Sequence, residues 1–181
     1  MSILSMISSR VTPDMVDQIA TKLGTQNTLV EKALNGAVPG LLAALLGAAK
    51  TTGRKESFAK ALAAQDPSMP DALSEQFGQN ADTVADRGRE ALSPVLGDAP
   101  LAAFTSEVQR VSGVPSGAAS ALTGLAGSLV MGALGKASQR DGLDAGGVLS
   151  MLQGEAGDIA KALPIDFAES FRGAGFLEAL D

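Results

Sequence analysis

The amino-acid sequence predicts an all-α, multihelical protein with two similar helical halves around a core rich in leucine, alanine and glycine. Three observations carry this prediction. Apolar residues recur at the three- and four-residue spacing of amphipathic helices. Threonine, proline and glycine stand where such helices would begin and end. Two apolar stretches, Leu29–Lys50 and Ala118–Ser138, lack charge at their centres, so we expect them to be the buried helices on which the others pack.

The first helical half is predicted to span residues 1–65. A short apolar segment precedes its first firm helix start. Thr12 is a favourable N-cap, and Pro13 suits the first helical position because its missing amide hydrogen is not needed there. Gly24 is expected to end this helix.

The long apolar stretch of the first half is predicted to break or kink. Gly36 and Pro39 interrupt it, and a proline inside a helix removes one backbone hydrogen bond and crowds the preceding turn. We therefore expect a new helix over Pro39–Lys50, followed by another over Arg54–Ala64.

Residues 66–99 differ in charge from the rest and are interpreted as an acidic helical connector. They hold seven carboxylates against two arginines, which accounts for −5 of the net charge of −6. Proline punctuates the segment, so two short amphipathic helices are expected, Pro70–Phe77 and Ala81–Leu92. Their charged faces should be solvated.

The second helical half is predicted over residues 100–163, because the opening pattern returns there. A shift of 89 positions places Gly24 on Gly113 and Leu45 on Leu134. This overlay favours an internal duplication. Two unrelated helical hairpins of similar composition are the alternative.

The C-terminal tail, residues 164–181, holds three of the six phenylalanines. Phe167, Phe171, Phe176 and Leu177 are a candidate interface. The tail is expected to pack on the core of its own chain or, alternatively, on a partner.

The inventory of reactive side chains predicts a protein that is not an enzyme. The sequence contains no His, Cys or Tyr, which removes the commonest general base, the thiol nucleophile and the phenol donor. One Ser-x-x-Lys match, Ser57 to Lys60, lacks the companion motifs of the enzymes that use it. Carboxylates occur in pairs, too few for the six or so oxygens of a divalent cation. We expect no catalytic residue, cofactor or metal.

Charge and hydropathy indicate a cytoplasmic protein without a membrane span. No signal peptide is apparent, because charged residues follow the first six residues closely. The uncharged run 33–49 is shorter than the ~20 residues that a span needs, and polar residues dilute the longer run 111–135.

One motif has the spacing of a helix-turn-helix. Gln18–Gly24 would supply the first helix and the turn. The second helix would offer Gln26, Asn27, Lys32 and Asn35 as candidate nucleic-acid contacts. The acidic chain lacks a basic stripe, so a helical hairpin used for packing is the favoured interpretation and nucleic acid is not an expected partner.

Four segments carry a family resemblance. They are residues 33–42 (ALNGAVPGLL), 58–62 (FAKAL), 111–114 (VSGV) and 147–152 (GVLSML). With them, residues 10–155 resemble the YidB-like bacterial family of unknown function (domain of unknown function 937). The resemblance implies an all-helical fold with two similar halves. It implies no activity, cofactor or site residue.

The leading functional prediction is a non-enzymatic helical interaction or scaffold protein that self-associates. Its apolar residues exceed what one core of this size needs, and surplus apolar faces tend to become interfaces. The expected partner is a second copy or another protein. The alternatives are a helix-turn-helix nucleic-acid-binding protein and a protein that binds a lipid or other apolar ligand between its helices.

Overall fold

A computed structural model describes residues 3–9, 11–50, 54–63, 69–173 and 175. Within these ranges the protein has ten helices and no strand, so the predicted all-α class is confirmed. The helices are α1 (Ile3–Ser8), α2 (Pro13–Leu23), α3 (Asn27–Lys50), α4 (Arg54–Ala63), α5 (Met69–Leu96), α6 (Asp98–Ser112), α7 (Ser116–Asp141), α8 (Ala145–Gly154), α9 (Ala156–Ala162) and α10 (Ile165–Gly173).

The helix boundaries that rest on local signals lie where the sequence predicts them. Thr12 caps α2, since its hydroxyl oxygen accepts a hydrogen bond from the amide of Met15 at 3.2 Å. Gly24 ends α2 with φ of +67°, and Gly113 ends α6 with φ of +83°. Both glycines adopt the left-handed conformation that a side chain would strain.

The two apolar stretches form the buried centre of the fold. In α3, the side chains of Leu41, Leu42, Leu45 and Leu46 are fully buried. In α7, apolar side chains are buried from Leu122 through Leu134. The prediction that these helices are the core on which the others pack is confirmed.

The predicted break at Gly36 and Pro39 is wrong, because α3 continues through both residues. Gly36, Pro39 and Gly40 are all buried. The lost hydrogen bond and local crowding at an internal proline cost about 3 kcal/mol. Burial of α3 against several neighbouring helices offsets that cost.

The predicted pair of short helices in residues 66–99 is also wrong, because one helix, α5, covers Met69–Leu96. Its second half packs closely against α7. A Cβ atom at Gly88 would lie 1.6 Å from the carbonyl oxygen of Gly124, so the two backbones touch where side chains are absent. Ser128 donates a hydrogen bond to the carbonyl of Val84 at 2.9 Å. The apolar side chains from Val84 onward therefore belong to the core, while the charged side chains of Asp86 and Glu90 are exposed.

The tail packs on its own chain as far as Gly173. Phe167 lies over Gly36, and Phe171 lies over Gly40 and stacks on Phe104 with ring centroids 4.7 Å apart. Phe176 and Leu177 lie outside the described residues.

The internal duplication stays a prediction. α3 and α7 begin 89 residues apart, at Asn27 and Ser116, and the two helix-ending glycines have the same spacing. The boundaries of the proposed halves, at residues 65, 99 and 163, are likewise not tested by the arrangement of the helices.

Two helices, Asn27–Ala49 within α3 and Gly117–Asp141 within α7, are long and apolar enough to cross a membrane by length and composition. Their most apolar windows are 78% and 83% buried inside the protein. Core helices of folded domains show the same burial, so the length and apolar composition of these two helices do not show that they cross a membrane.

Candidate binding groove

An open cavity of about 470 Å³ lies between α1, α2, the first half of α3 and the loop that joins α9 to α10. Its apolar lining comes from three of these elements: Leu4 and Ile7 of α1, Val16 of α2, and Leu34 and Val38 of α3. On α3 the lining residues recur every three or four positions, which places them on one side of the helix. We call this cavity the groove.

The charged residues of the groove are both carboxylates. Asp17 of α2 and Glu31 of α3 line it, and both residues are exposed. Asp17 accepts a hydrogen bond from the side-chain amide of Asn27. The side chain of Glu31 makes no hydrogen bond or ion pair with any residue that the structure describes. Among the residues that the structure describes, no lysine or arginine lines the cavity, so the charged side chains of its described lining are all negative.

Pro39 also lines this wall. In an α-helix the amide of residue i donates to the carbonyl of residue i−4, and proline has no amide hydrogen. Pro39 therefore cannot donate the usual helical hydrogen bond to the carbonyl of Asn35, which lines the groove as well.

A shallower depression adjoins the groove and shares Glu31, Asn35 and Pro164 with it. Its cation is Lys32, whose Nζ lies 3.7 Å from a carboxylate oxygen of Asp166. Both side chains are largely exposed, so this ion pair is worth little to stability. It does keep the positive charge of Lys32 partly neutralised.

The four candidate nucleic-acid contacts, Gln26, Asn27, Lys32 and Asn35, are all exposed near the start of α3. Asn27 and Asn35 line the groove, while Lys32 lies in the depression and Gln26 lines neither. Asn27 is bonded to a carboxylate and Lys32 is paired with one. A phosphate backbone approaching this face would meet negative charge, which opposes the electrostatic attraction that nucleic-acid binding requires.

The α1 wall of the groove is held by a distant side chain. The amide of Ile3 donates to both carboxylate oxygens of Glu155, at 2.9 and 3.2 Å. Glu155 lies at the junction of α8 and α9. This contact satisfies a free amide at the start of α1 and joins α1 to the junction of α8 and α9.

Of the four candidate interface residues, the structure describes two, Phe167 and Phe171. Phe167 and Phe171 are fully buried within the chain, so they present no surface to a partner in this fold. Among the residues whose exposure is described, Ile165 is the exposed large apolar residue, at 76%. It follows Pro164, which lines the groove.

Sequence reasoning missed Asp17, Glu31 and the groove itself. No local pattern marks them, because the walls of the groove come from elements that are separate in sequence. Within the described part of the chain, no cluster of three or more metal-ligating acidic side chains occurs.

A comparison with known families matches residues 5–137 to a family described as a bacterial protein of unknown function (DUF937). The chain belongs to this family. The DUF937 match begins in α1 and ends in α7, so it contains the α2 and α3 walls of the groove and Ile7 of α1, and excludes Leu4 and α8 to α10. No curated protein and no solved structure matches the chain.

Proposed function

We propose that this protein is a non-enzymatic helical interaction protein that binds a partner polypeptide in the groove. The observation that supports this proposal is a recess open to solvent and lined by apolar side chains of α1, α2 and α3, on a protein in which most of the other apolar side chains of described exposure are buried. Recesses of this kind, apolar within and polar at the edge, are characteristic of binding sites.

The partner that we propose is a different protein rather than a second copy. Self-association was expected from surplus apolar residues, yet the apolar faces of α3 and α7 are buried within one chain. A second copy would have to use Ile165, the groove or residues outside the described ranges.

Site-specific photo-cross-linking in bacterial cells tests the proposal. A photoreactive amino acid replaces Asn35 at the groove or, as the matched control, the exposed Gln139 near the end of α7. We expect a discrete adduct from position 35 and none from position 139. An adduct of twice the mass of the chain would contradict a heterologous partner. Equal labelling from both positions, or no adduct at position 35, would overturn the proposal.

The cavity volume also favours a second candidate, binding of a lipid or other apolar ligand. Its volume of about 470 Å³ falls within the range of small-molecule sites. In that case, native mass spectrometry after gentle purification should show extra mass, and Asn35→Trp, which fills the recess, should remove it. The unliganded mass alone would count against this candidate.

A further inference from the structure

We propose that the groove binds a short amphipathic segment of another protein that carries lysine or arginine beside its apolar side chains. This inference rests on the proposed function, because it names the chemistry of the partner at the same site. Two observations support it: the shape of the groove and the sign of its charges.

The shape of the groove favours an elongated occupant. Its lining follows α3 from Asn27 to Pro39, and at 1.5 Å per residue these positions are about 18 Å apart along the helix axis. The adjoining depression continues the same face through Thr28 and Lys32. A helix of roughly 12 residues has this length and can place an apolar face in such a groove.

The charges of the groove select the polar residues of that segment. Asp17 and Glu31 flank an apolar floor, and the side chain of Glu31 has no partner among the described residues. A lysine or arginine on the segment would pair with these carboxylates. Charge complementarity of this kind sets orientation and partner choice more than raw affinity.

The same charges disfavour other occupants. The end of the chain itself, residues 176–181 (FLEALD), is apolar but carries Glu178 and Asp181. These carboxylates would meet Asp17 and Glu31 with like charge. A nucleic acid would be repelled for the same reason.

Fluorescence anisotropy with two labelled helical peptides tests the inference. The first peptide, of about 12 residues, contains leucine, alanine and two lysines four positions apart, and the second has glutamate in place of lysine. We expect the full-length protein to bind the lysine peptide and not the glutamate peptide. The double variant Asp17→Asn, Glu31→Gln should weaken binding of the lysine peptide about tenfold, since two partly exposed ion pairs are lost.

A matched variant controls for net charge. Asp158→Asn with Glu169→Gln changes the charge of the chain equally, at exposed positions that do not line the groove. This variant should bind the lysine peptide as the wild type does, and circular dichroism should show equal helicity for both variants. Equal weakening in both variants, binding of the glutamate peptide, or no binding of the lysine peptide would overturn the inference.

The cross-linking experiment and the peptide-binding experiment test different claims, so their failures can be told apart. A cross-link from position 35 without binding of the lysine peptide would leave the proposed function standing and remove the claim about charge. Failure of the cross-link would remove the function itself.

Discussion

At the scale of single residues, two glycines of α3 determine how the tail docks. A Cβ atom at Gly36 would lie 2.2 Å from the nearest ring atom of Phe167, and one at Gly40 would lie 2.4 Å from the ring of Phe171. Each phenylalanine therefore fills the space that a missing side chain leaves. Both rings are fully buried, so neither can move aside without disturbing the core.

Alanine at Gly36 should therefore destabilise the protein. Overpacking against the buried Phe167 ring should lower the free energy of unfolding by about 1–3 kcal/mol, despite the better helix propensity of alanine. Gly157→Ala is the matched control, because Gly157 is exposed in α9 and a Cβ there would meet nothing within 4 Å. It should leave stability unchanged or raise it by up to about 1 kcal/mol. Urea unfolding measures both, and equal effects would contradict the packing of α10 on α3.

A second residue-scale prediction concerns Thr123 in α7. Its hydroxyl is fully buried and has no hydrogen-bond partner among the described residues. Thr123→Val keeps the shape and removes the unsatisfied group, so thermal unfolding should show a gain of about 1 kcal/mol. A loss of stability in this variant would show that the hydroxyl is satisfied in the folded protein.

Residue-scale predictions from the sequence succeeded where the cause is local. Thr12 and Gly24 act on their own helix, and the sequence identifies both. The role of Gly36 depends on Phe167, which is 131 positions away. Sequence proximity could not reveal that contact, so Gly36 was interpreted as a helix breaker.

At the scale of elements, the sequence predicted helices well and their continuity poorly. Proline and charge density suggested breaks in α3 and in the segment that forms α5. Tertiary packing keeps both helices continuous. α3 is buried along most of its length, and the second half of α5 lies against α7 at Gly88 and Gly124. Tertiary burial commonly overrides local propensity in this way.

A polar cluster at the surface holds α10 on α6. Ser170 donates to the carboxylate of Glu107, and Arg110 pairs with the same carboxylate while donating to the Ser170 hydroxyl at 2.7 Å. The Ser170 hydrogen bond and the Arg110 charge hold the pKa of Glu107 below its ordinary value of 4.5, although partial burial opposes them. The ionised form of Glu107 is therefore the one that stabilises the docked helix.

This cluster predicts a pH dependence. Because the pKa of Glu107 is lowered in the folded state, its contribution is present above the ordinary value of 4.5 and is lost as pH falls through the lowered pKa. Between about pH 6 and pH 3, the urea midpoint of the wild type should fall more than that of Glu107→Gln. Ser170→Ala should likewise make the urea midpoint fall less with decreasing pH than it does in the wild type. Parallel curves for wild type and Glu107→Gln would contradict the assigned role.

At the scale of the whole molecule, the sequence predicted the class, the two buried helices and the family. It did so because the apolar stretches of α3 and α7 are continuous in sequence. The groove was not predictable in this way, since its walls come from α1, α2, α3 and the loop before α10. Only the fold brings Leu4, Asp17 and Pro164 to one cavity.

The account as a whole depends on α3 and α7 being an internal core rather than membrane spans. Hydrogen exchange followed by mass spectrometry, on the protein in water without detergent, tests this claim most directly. Residues 27–49 and 117–141 should exchange more slowly than the rest of the chain, at rates set by global unfolding. Rapid exchange of these helices in water, with protection appearing only when lipid vesicles are added, would contradict it.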